Sequence, residues 1–271
     1  MNQRPLIFLT NDDGVHSPGL KALASAIETF ADIEIIAPSE QMTATGRGLF
    51  GDRSVQLQTA TLQINEKEIT AYHAPCSPAQ VVLLGLQVLG ANRKPDLLIS
   101  GINYGENLGR DISMSGTVGA AIQAKCMDIP ALAVSRQTPI EFHYNYGEVD
   151  WHVAGYFASL FAKKLINCEL PADIDLLKLD IPQDANTRTP WRTTRVGNQS
   201  YFRADINSPT LTSRLMDSTI KIEVDFETLE KDTDIYAIQV DKVVSVTPIS
   251  LDHTSRTDLT KLQGFLNRRD E

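Results

Sequence analysis

Short apolar runs alternate with amphipathic stretches along the first two thirds of the chain. Residues 6–10 form an apolar run rich in β formers, which stops at the turn residues Asn11-Asp12-Asp13-Gly14. Helical spacing follows, beginning at Ser17 and Pro18, and residues 33–37 form a second apolar run. This β-loop-α-β order predicts a parallel sheet with right-handed crossovers.

The same periodicities predict further elements as far as residue 181. They are a hairpin within residues 50–73, helices over 77–89, 117–127 and 151–166, strands over 95–100, 129–135 and 174–181, and a loop over 101–116. After residue 182 the pattern loosens into short β-like runs and a final helical candidate over 254–266. We therefore expect one α/β domain over residues 1–271, with a core of about 1–182 and a β-rich extension of about 183–271 that serves oligomerisation.

Composition narrows the classes of function. The chain has 271 residues and a formal net charge of -9, and such an acidic surface disfavours binding to duplex nucleic acid. Cys76, Cys126 and Cys168 are far apart and form no CxxC pair, so we expect reduced, mostly buried thiols. No segment resembles a signal h-region or approaches 18 uninterrupted apolar residues. These features predict a cytoplasmic protein without a membrane span.

Two adjacent acids stand where the first predicted strand ends. In open α/β sheets, ligands bind outside the carboxyl ends of the strands. Asp12 and Asp13 repel each other there, and a cation beside them removes that cost. Oxygen ligands alone favour a hard metal such as magnesium, manganese or calcium. On this pair alone, a metal site and a plain turn that caps the next helix are equally compatible with the sequence.

The predicted loop 101–116 carries a stronger signal. Its motif places three glycines at intervals of four and two asparagines between them: Gly101, Asn103, Gly105, Asn107 and Gly109. Ser115-Gly116-Thr117 then opens a helix of small residues, whose free N–H groups and two hydroxyls form a candidate phosphate site. The spacing differs from G-x-G-x-x-G, which weighs against a dinucleotide, and a plain glycine-rich turn is the alternative.

With these motifs the chain resembles the survival protein SurE family of 5'/3'-nucleotidases. The resemblance is carried by residues 9–14, residues 95–109 and residues 115–118, with weaker matches at residues 37–38, 77–79 and 244–252. It implies a Rossmann-like three-layer core with a mostly parallel sheet, a swapped C-terminal extension, and a homodimer or homotetramer. It also implies metal-dependent hydrolysis of nucleoside 5'-monophosphates, and it leaves open whether 3'-monophosphates are substrates too.

The resemblance further assigns roles to residues. One divalent cation, Mg²⁺ or Mn²⁺, is expected on Asp12, Asp13, Thr43 and Asn103. Phosphate oxygens are expected on Asn107, Ser115, Gly116 and Thr117. The expected catalytic residues are Asp12, Asp13, Asn103, Asn107 and Ser115. Whether the nucleophile is a metal-activated water or Asp12 stays open at this point.

The sequence departs from the family in three places. Thr43-Ala44 stands where the family usually has Ser-Gly, so the oxygen is kept but a glycine's freedom at positive φ is lost. Ser39 is an alternative hydroxyl ligand. Gln80 replaces an aspartate, and Asp180-Ile181-Pro182 replaces an Asn-x-Pro strand end. These changes leave the substrate range and the rate open.

Three other functions compete with the nucleotidase. A receiver domain also has adjacent aspartates after its first strand, but the strand expected to carry its phosphoacceptor ends here in Ser100-Gly101. A nucleotide-binding protein without turnover would follow if the Thr43-Ala44 change abolished catalysis. A phosphatase for a non-nucleotide ester is the third, because no sequence feature identifies a base pocket; Phe142, Tyr144 and Tyr146 are equally compatible with packing.

Overall fold

The structure is a computed structural model that describes residues 3–267. Within this range the strands, numbered in chain order, are β1 (Leu6–Thr10), β2 (Asp32–Pro38), β3 (Gln58–Ile64), β4 (Lys67–Ala74), β5 (Leu97–Tyr104), β6 (Ala131–Arg136), β7 (Leu176–Ile181), β8 (Trp191–Thr193), β9 (Phe202–Asp205), β10 (Thr219–Ile222) and β11 (Val244–Ile249). The helices are α1 (Pro18–Ile27), α2 (Pro78–Val88), α3 (Gly116–Lys125), α4 (His152–Asn167), α5 (Asp234–Tyr236) and α6 (Leu259–Leu266).

Nine of these strands form one sheet in the order β3-β4-β2-β1-β5-β6-β7-β11-β8. The run from β4 to β7 is parallel throughout, whereas β3 and β11 pair antiparallel to its two edges. The predicted mostly parallel α/β sheet is therefore confirmed. The chain winds outwards from β1 in one direction and from β5 in the other, so the crevice between their carboxyl ends is where such sheets bind ligands.

Alternating side chains of the buried strands face two helical layers. Ile7 and Leu9 pack with α1 and α4 on one face. Leu6 and Phe8 pack with α2 and α3 on the other. Because successive residues of a strand point to opposite faces, a continuous apolar run is what a sheet covered on both sides requires. The result is the three-layer core that the family resemblance implies.

The predicted loop over residues 101–116 is wrong in its first part, because β5 continues to Tyr104. The pairing of β5 with β6 shifts register between Ser100 and Asn103, which is a β-bulge. Gly101 has a φ of 146°, and a Cβ there would lie 2.3 Å from the Val134 carbonyl oxygen. Glycine therefore permits the bulge, and the bulge brings Asn103 to the end of the strand opposite Ser135.

The extension after residue 182 is partly continuous with the core. β11 pairs with β7 and β8 pairs with β11, whereas β9 and β10 form a separate two-stranded hairpin. Helix α6 has no buried residue. The expectation of mostly buried thiols is wrong: all three cysteines are free, but only Cys76 is buried. Across residues 3–267, no helix combines the length and the apolarity that crossing a membrane demands.

Candidate metal and phosphate site

Asp12 and Asp13 follow β1 directly and are held by neighbouring elements. The Thr117 hydroxyl, in the first turn of α3, donates to Asp12 Oδ1 at 2.6 Å. The Tyr104 backbone N–H donates to Asp13 Oδ2 at 3.2 Å, and the Gln41 side-chain amide donates to Asp13 Oδ1 at 3.1 Å. The two acids are thus fixed to the end of β5 and to the start of α3.

Both carboxylates are buried without a basic partner. Neither forms an ion pair with any residue in the described range. Burial raises the pKa of Asp12 to about 6, against the opposing hydrogen bond from Thr117. Burial, and then the charge of Asp12, raise the pKa of Asp13 well above its usual value. Two buried acids that repel each other are the donor set that a divalent cation satisfies.

The predicted residues come together around one cavity of about 240 Å³. Five of them line it: Asp12, Thr43, Asn103, Asn107 and Ser115. Asp13, Gly116 and Thr117 do not line the cavity and lie behind its wall, where Thr117 contacts Asp12. A Cβ on Gly116 would lie 2.8 Å from Asp12 Oδ2, so this glycine lets the helix start approach the acid closely.

Ser115 and Asn107 are positioned by their own hydrogen bonds. Ser115 is the N-cap of α3, and its hydroxyl oxygen accepts from the Val118 N–H at 3.1 Å. The Ser115 O–H is then free to donate into the cavity. The Asn107 side-chain amide donates to Ser135 Oγ at 2.7 Å, which leaves its second N–H available. Ser135 is a supporting residue that the sequence patterns did not single out.

The loop after β2, over residues 39–48 and called the second loop below, contacts the backbone of Asp12. The Met42 N–H donates to the Asp12 carbonyl oxygen at 2.7 Å, which brings Thr43 to the cavity. Ala44 follows at a φ of 61°, a left-handed conformation that glycine adopts without strain. Ser39, the alternative hydroxyl, is hydrogen-bonded to His73 at 2.8 Å and does not line the cavity.

One wall of the cavity is apolar. It is formed by Ile140 and Tyr144, which follow β6, and by Phe202, Ala204 and Ile220 of the β9–β10 hairpin. Tyr144 was one of the aromatic residues whose role the sequence left open. The hairpin residues were missed, because they lie about a hundred positions after the motif loops and no local pattern connects them.

Among residues 3–267, no group of three or more His, Cys, Asp or Glu side chains lies together as a metal site. The candidate ligands here include only two carboxylates, and the Asn103 amide and the Thr43 hydroxyl would supply the other oxygens. The fold and this edge define a Rossmann-like α/β protein with candidate cation and anion sites at the switch point of its sheet.

Comparison with known proteins gives the family. The profile described as "Survival protein SurE" matches residues 7–203. The chain is 34% identical to the 5'-nucleotidase SurE of Thermococcus gammatolerans, over 96% of this chain and 95% of that protein. It is 32% identical to the 5'-nucleotidase SurE of Deinococcus radiodurans, over 97% and 93%. The crystal structure of the SurE protein from Aquifex aeolicus superposes with a TM-score of 0.76 at 27% identity, covering 97% of this chain and all of that one. The chain belongs to the SurE family.

Proposed function

We propose that this protein is a divalent-metal-dependent phosphomonoesterase that hydrolyses nucleoside 5'-monophosphates, and 3'-monophosphates, to nucleoside and phosphate. The observation that carries the proposal is the convergence of Asp12, Thr43, Asn103, Asn107 and Ser115 on one cavity at the switch point of the sheet. The family members named 5'-nucleotidase SurE support the substrate class.

The metal site would consist of Asp12, Asp13, Thr43 and Asn103. The fit rests on the two buried carboxylates that have no basic partner in the described range. A bound Mg²⁺ or Mn²⁺ supplies charge neutralisation to the phosphoryl group as the P–O bond breaks. Thr117 and Gln41 orient the two acids through the hydrogen bonds described above.

The phosphate oxygens would be bound by donors from two elements. Ser115 and Asn107 both line the cavity, and each keeps one side-chain donor that no residue in the described range uses. The first N–H groups of α3, at Gly116 and Thr117, add the partial positive charge of a helix start. Donors fixed in advance around a developing charge lower the barrier without reorganisation. Asp12, Asp13, Asn103, Asn107 and Ser115 are the proposed catalytic residues.

The apolar wall supports a nucleoside rather than a small sugar as the leaving group. Tyr144 and Phe202 are aromatic residues of the cavity lining. A nucleobase can stack against aromatic rings, whereas a sugar phosphate buries little there. We assign base recognition to this wall.

Helix α6 supports a homodimer or homotetramer as the working form. Leu259, Leu262, Phe265 and Leu266 are between 41% and 70% exposed in the single chain. Their spacing places them along one side of the helix, where an apolar stripe needs a partner surface. We therefore propose one domain over residues 1–271, whose extension after residue 182 packs against a second copy. Light scattering of the wild type and of Leu262→Glu tests this.

We further propose a cytoplasmic location. The three free thiols, two of them exposed, support it, because a reducing compartment keeps such thiols unpaired. Fractionation of the host cell, with detection of the protein by antibody, tests this.

The decisive experiment is phosphate release across a panel of nucleoside 5'- and 3'-monophosphates and sugar phosphates. Mononucleotides should be hydrolysed with added Mg²⁺ or Mn²⁺, and hydrolysis should stop with excess chelator. Asn103→Ala should abolish release, whereas Asp32→Asn, an exposed carboxylate at the start of β2, should leave it unchanged. Preference for sugar phosphates would reject the nucleotidase, and nucleotide binding without release would reject an enzyme.

A further inference from the structure

A lysine and two aspartates are completely buried beside the loop over residues 105–115, which carries Asn107 and Ser115 and is called the phosphate loop below. Lys178 and Asp180 lie two residues apart in β7, and Asp234 is in α5 of the extension; each is 0% exposed. Lys178 Nζ contacts both carboxylates, at 3.2 Å for Asp234 and closer for Asp180. A buried charge persists only with such compensation, so these three residues form one unit, called the clamp below.

The clamp holds both backbone polar groups of Asn107. The Asn107 N–H donates to Asp180 Oδ1 at 2.8 Å, and Lys178 Nζ donates to the Asn107 carbonyl oxygen at 2.7 Å. All three N–H groups of Lys178 are therefore used. Together with the bond from its side chain to Ser135, Asn107 is fixed at three of its polar groups by the ends of β6 and β7.

Asp234 connects the clamp to the extension. Its Oδ2 accepts from the Gly109 N–H at 3.2 Å, two residues beyond Asn107. Its Oδ1 accepts from the Gly197 N–H at 2.8 Å. One carboxylate thus joins the phosphate loop, β7 through Lys178, and the segment that leads to the β9–β10 hairpin.

We propose that Lys178, Asp180 and Asp234 are positioning residues that fix Asn107 for contact with the phosphate, and that they couple the extension to the site. The proposal rests on the proposed function. None of the three lines the cavity, so they act through Asn107 and not on the substrate. The metal site lies on other residues, and changes in the clamp should leave metal affinity unchanged.

Asp180→Asn is the sharpest single change, because it keeps the size of the side chain. Asp180 accepts from the Asn107 N–H through one oxygen and from Lys178 through the other. An asparagine must present its NH₂ to one of these donors, so one bond is lost. We expect kcat to fall about 10- to 100-fold, as for other small displacements of a reacting group. The Mn²⁺ concentration for half activation should not change.

The double variant Lys178→Gln/Asp180→Asn provides the rescue. The side-chain oxygen of the introduced glutamine can accept from the NH₂ of the introduced asparagine. The NH₂ of that glutamine can in turn donate to the Asn107 carbonyl oxygen. Asp234 loses the ammonium of Lys178 in this variant but keeps the Gly109 and Gly197 N–H donors, so the rescue is partial. We expect kcat to rise above that of Asp180→Asn, whereas a merely additive structural defect would lower it further.

Asp175→Asn is the matched control for the single variant. It breaks the ion pair with Lys125 just before the other end of β7, far from the Asn107 loop along the strand. Its kcat should stay at the wild-type value.

Amide hydrogen exchange gives a readout independent of turnover. Exchange at the Asn107 N–H should accelerate in Asp180→Asn and slow again in the double variant. Wild-type kcat in Asp180→Asn, or a parallel shift of metal activation, would overturn the positioning role. If the wild type itself released no phosphate, the proposed function would fail, whereas the exchange result would still decide whether the clamp holds the loop.

Discussion

Two buried pairs of aspartates lie near the same edge of the sheet, and they differ in what neutralises them. Asp180 and Asp234 share the ammonium of Lys178. Asp12 and Asp13 have no basic partner among residues 3–267. Burial lowers the pKa of Lys178, but its two carboxylates outweigh burial and raise it, whereas burial raises the pKa of Asp12 to about 6. One pair is neutralised within the folded chain, and the proposed divalent cation would neutralise the other.

At the same edge of the sheet, the clamp therefore has a structural role, whereas Asp12 and Asp13 are the proposed metal ligands. A lysine in the clamp makes its acids fixed supports for the Asn107 loop. No such residue lies beside Asp12 in the described range, so hydrogen bonds from Thr117 hold its carboxylate without neutralising its charge. Removing a charge should therefore have opposite effects on stability at the two pairs, and this contrast can be tested directly.

Asp12→Asn should have the largest effect on activity and should raise stability without metal. Loss of a metal ligand removes several kcal/mol of transition-state stabilisation, so kcat/KM should fall about 1000-fold or more. The raised pKa of Asp12 makes the wild type less stable as pH rises from about 4 to 6, because the folded state resists deprotonation. In chelator at pH 7.5 the variant should gain about 1–3 kcal/mol by urea unfolding.

The gain should vanish below about pH 4, where both states of the wild type are protonated, and saturating Mn²⁺ should reverse it by stabilising only the wild type. A variant that is less stable than the wild type in chelator would contradict the conclusion that Asp12 and Asp13 are buried without a compensating charge.

Lys178→Met should do the reverse and destabilise strongly. It leaves Asp180 and Asp234 buried without a cation, a change that costs about 3–5 kcal/mol. Lys125→Met is the matched control, because its ion pair with Asp175 spans 3.6 Å and is partly solvated. That control should cost less than about 1 kcal/mol in the same urea titration. Similar losses in both variants would remove the distinction between the clamp and an ordinary ion pair.

Glu106 is a further buried acid at this edge of the sheet, and it is neutralised in a third way, by a proton. Its Oε1 accepts from the Tyr201 hydroxyl. Its Oε2 has no partner among the described residues. Burial raises the pKa of Glu106 from 4.5 to about 7, against the bond from Tyr201. The folded state therefore keeps a proton that the unfolded state loses, and stability should fall as pH rises from about 4.5 to 7.

Glu106→Gln should flatten this part of the stability profile. Glutamine stays neutral and still offers an oxygen to Tyr201, so the difference in unfolding free energy should grow by about 2–3 kcal/mol from pH 5 to pH 8. Urea unfolding of both proteins at each pH measures it. A wild type and variant with parallel profiles would show that Glu106 is ionised in the folded protein.

The sequence predicted the site at Asp12 but not the contacts of the clamp, for a physical reason. Asp12 and Asn103 stand at predicted strand ends with turn residues around them, so local pattern and the rule for parallel sheets suffice to predict that they lie close together. Asp180 shares the ammonium of Lys178 with Asp234, which lies 54 positions further along the chain in a segment without clear periodicity. Such long-range pairing, like the apolar wall from the β9–β10 hairpin, follows from tertiary packing alone. Strand β5 was cut short because glycine and asparagine normally end strands, whereas here they make a bulge.

Ala44→Gly should give the smallest effect and tests whether the loop over Asp12 is imposed by its surroundings. Ala44 has a φ of 61°, a conformation that costs an L-residue about 1–2 kcal/mol and glycine almost nothing. Because glycine also gains entropy in the unfolded chain, the net stabilisation should be about 0.5–1 kcal/mol, or a rise in Tm of about 1–3 °C. Ala91→Gly, at an exposed turn position with negative φ, should lower stability by a similar amount. If both variants lost stability equally, the Met42–Asp12 contact would not be holding Ala44 in the left-handed region, and the second loop would be free to move away from the acids.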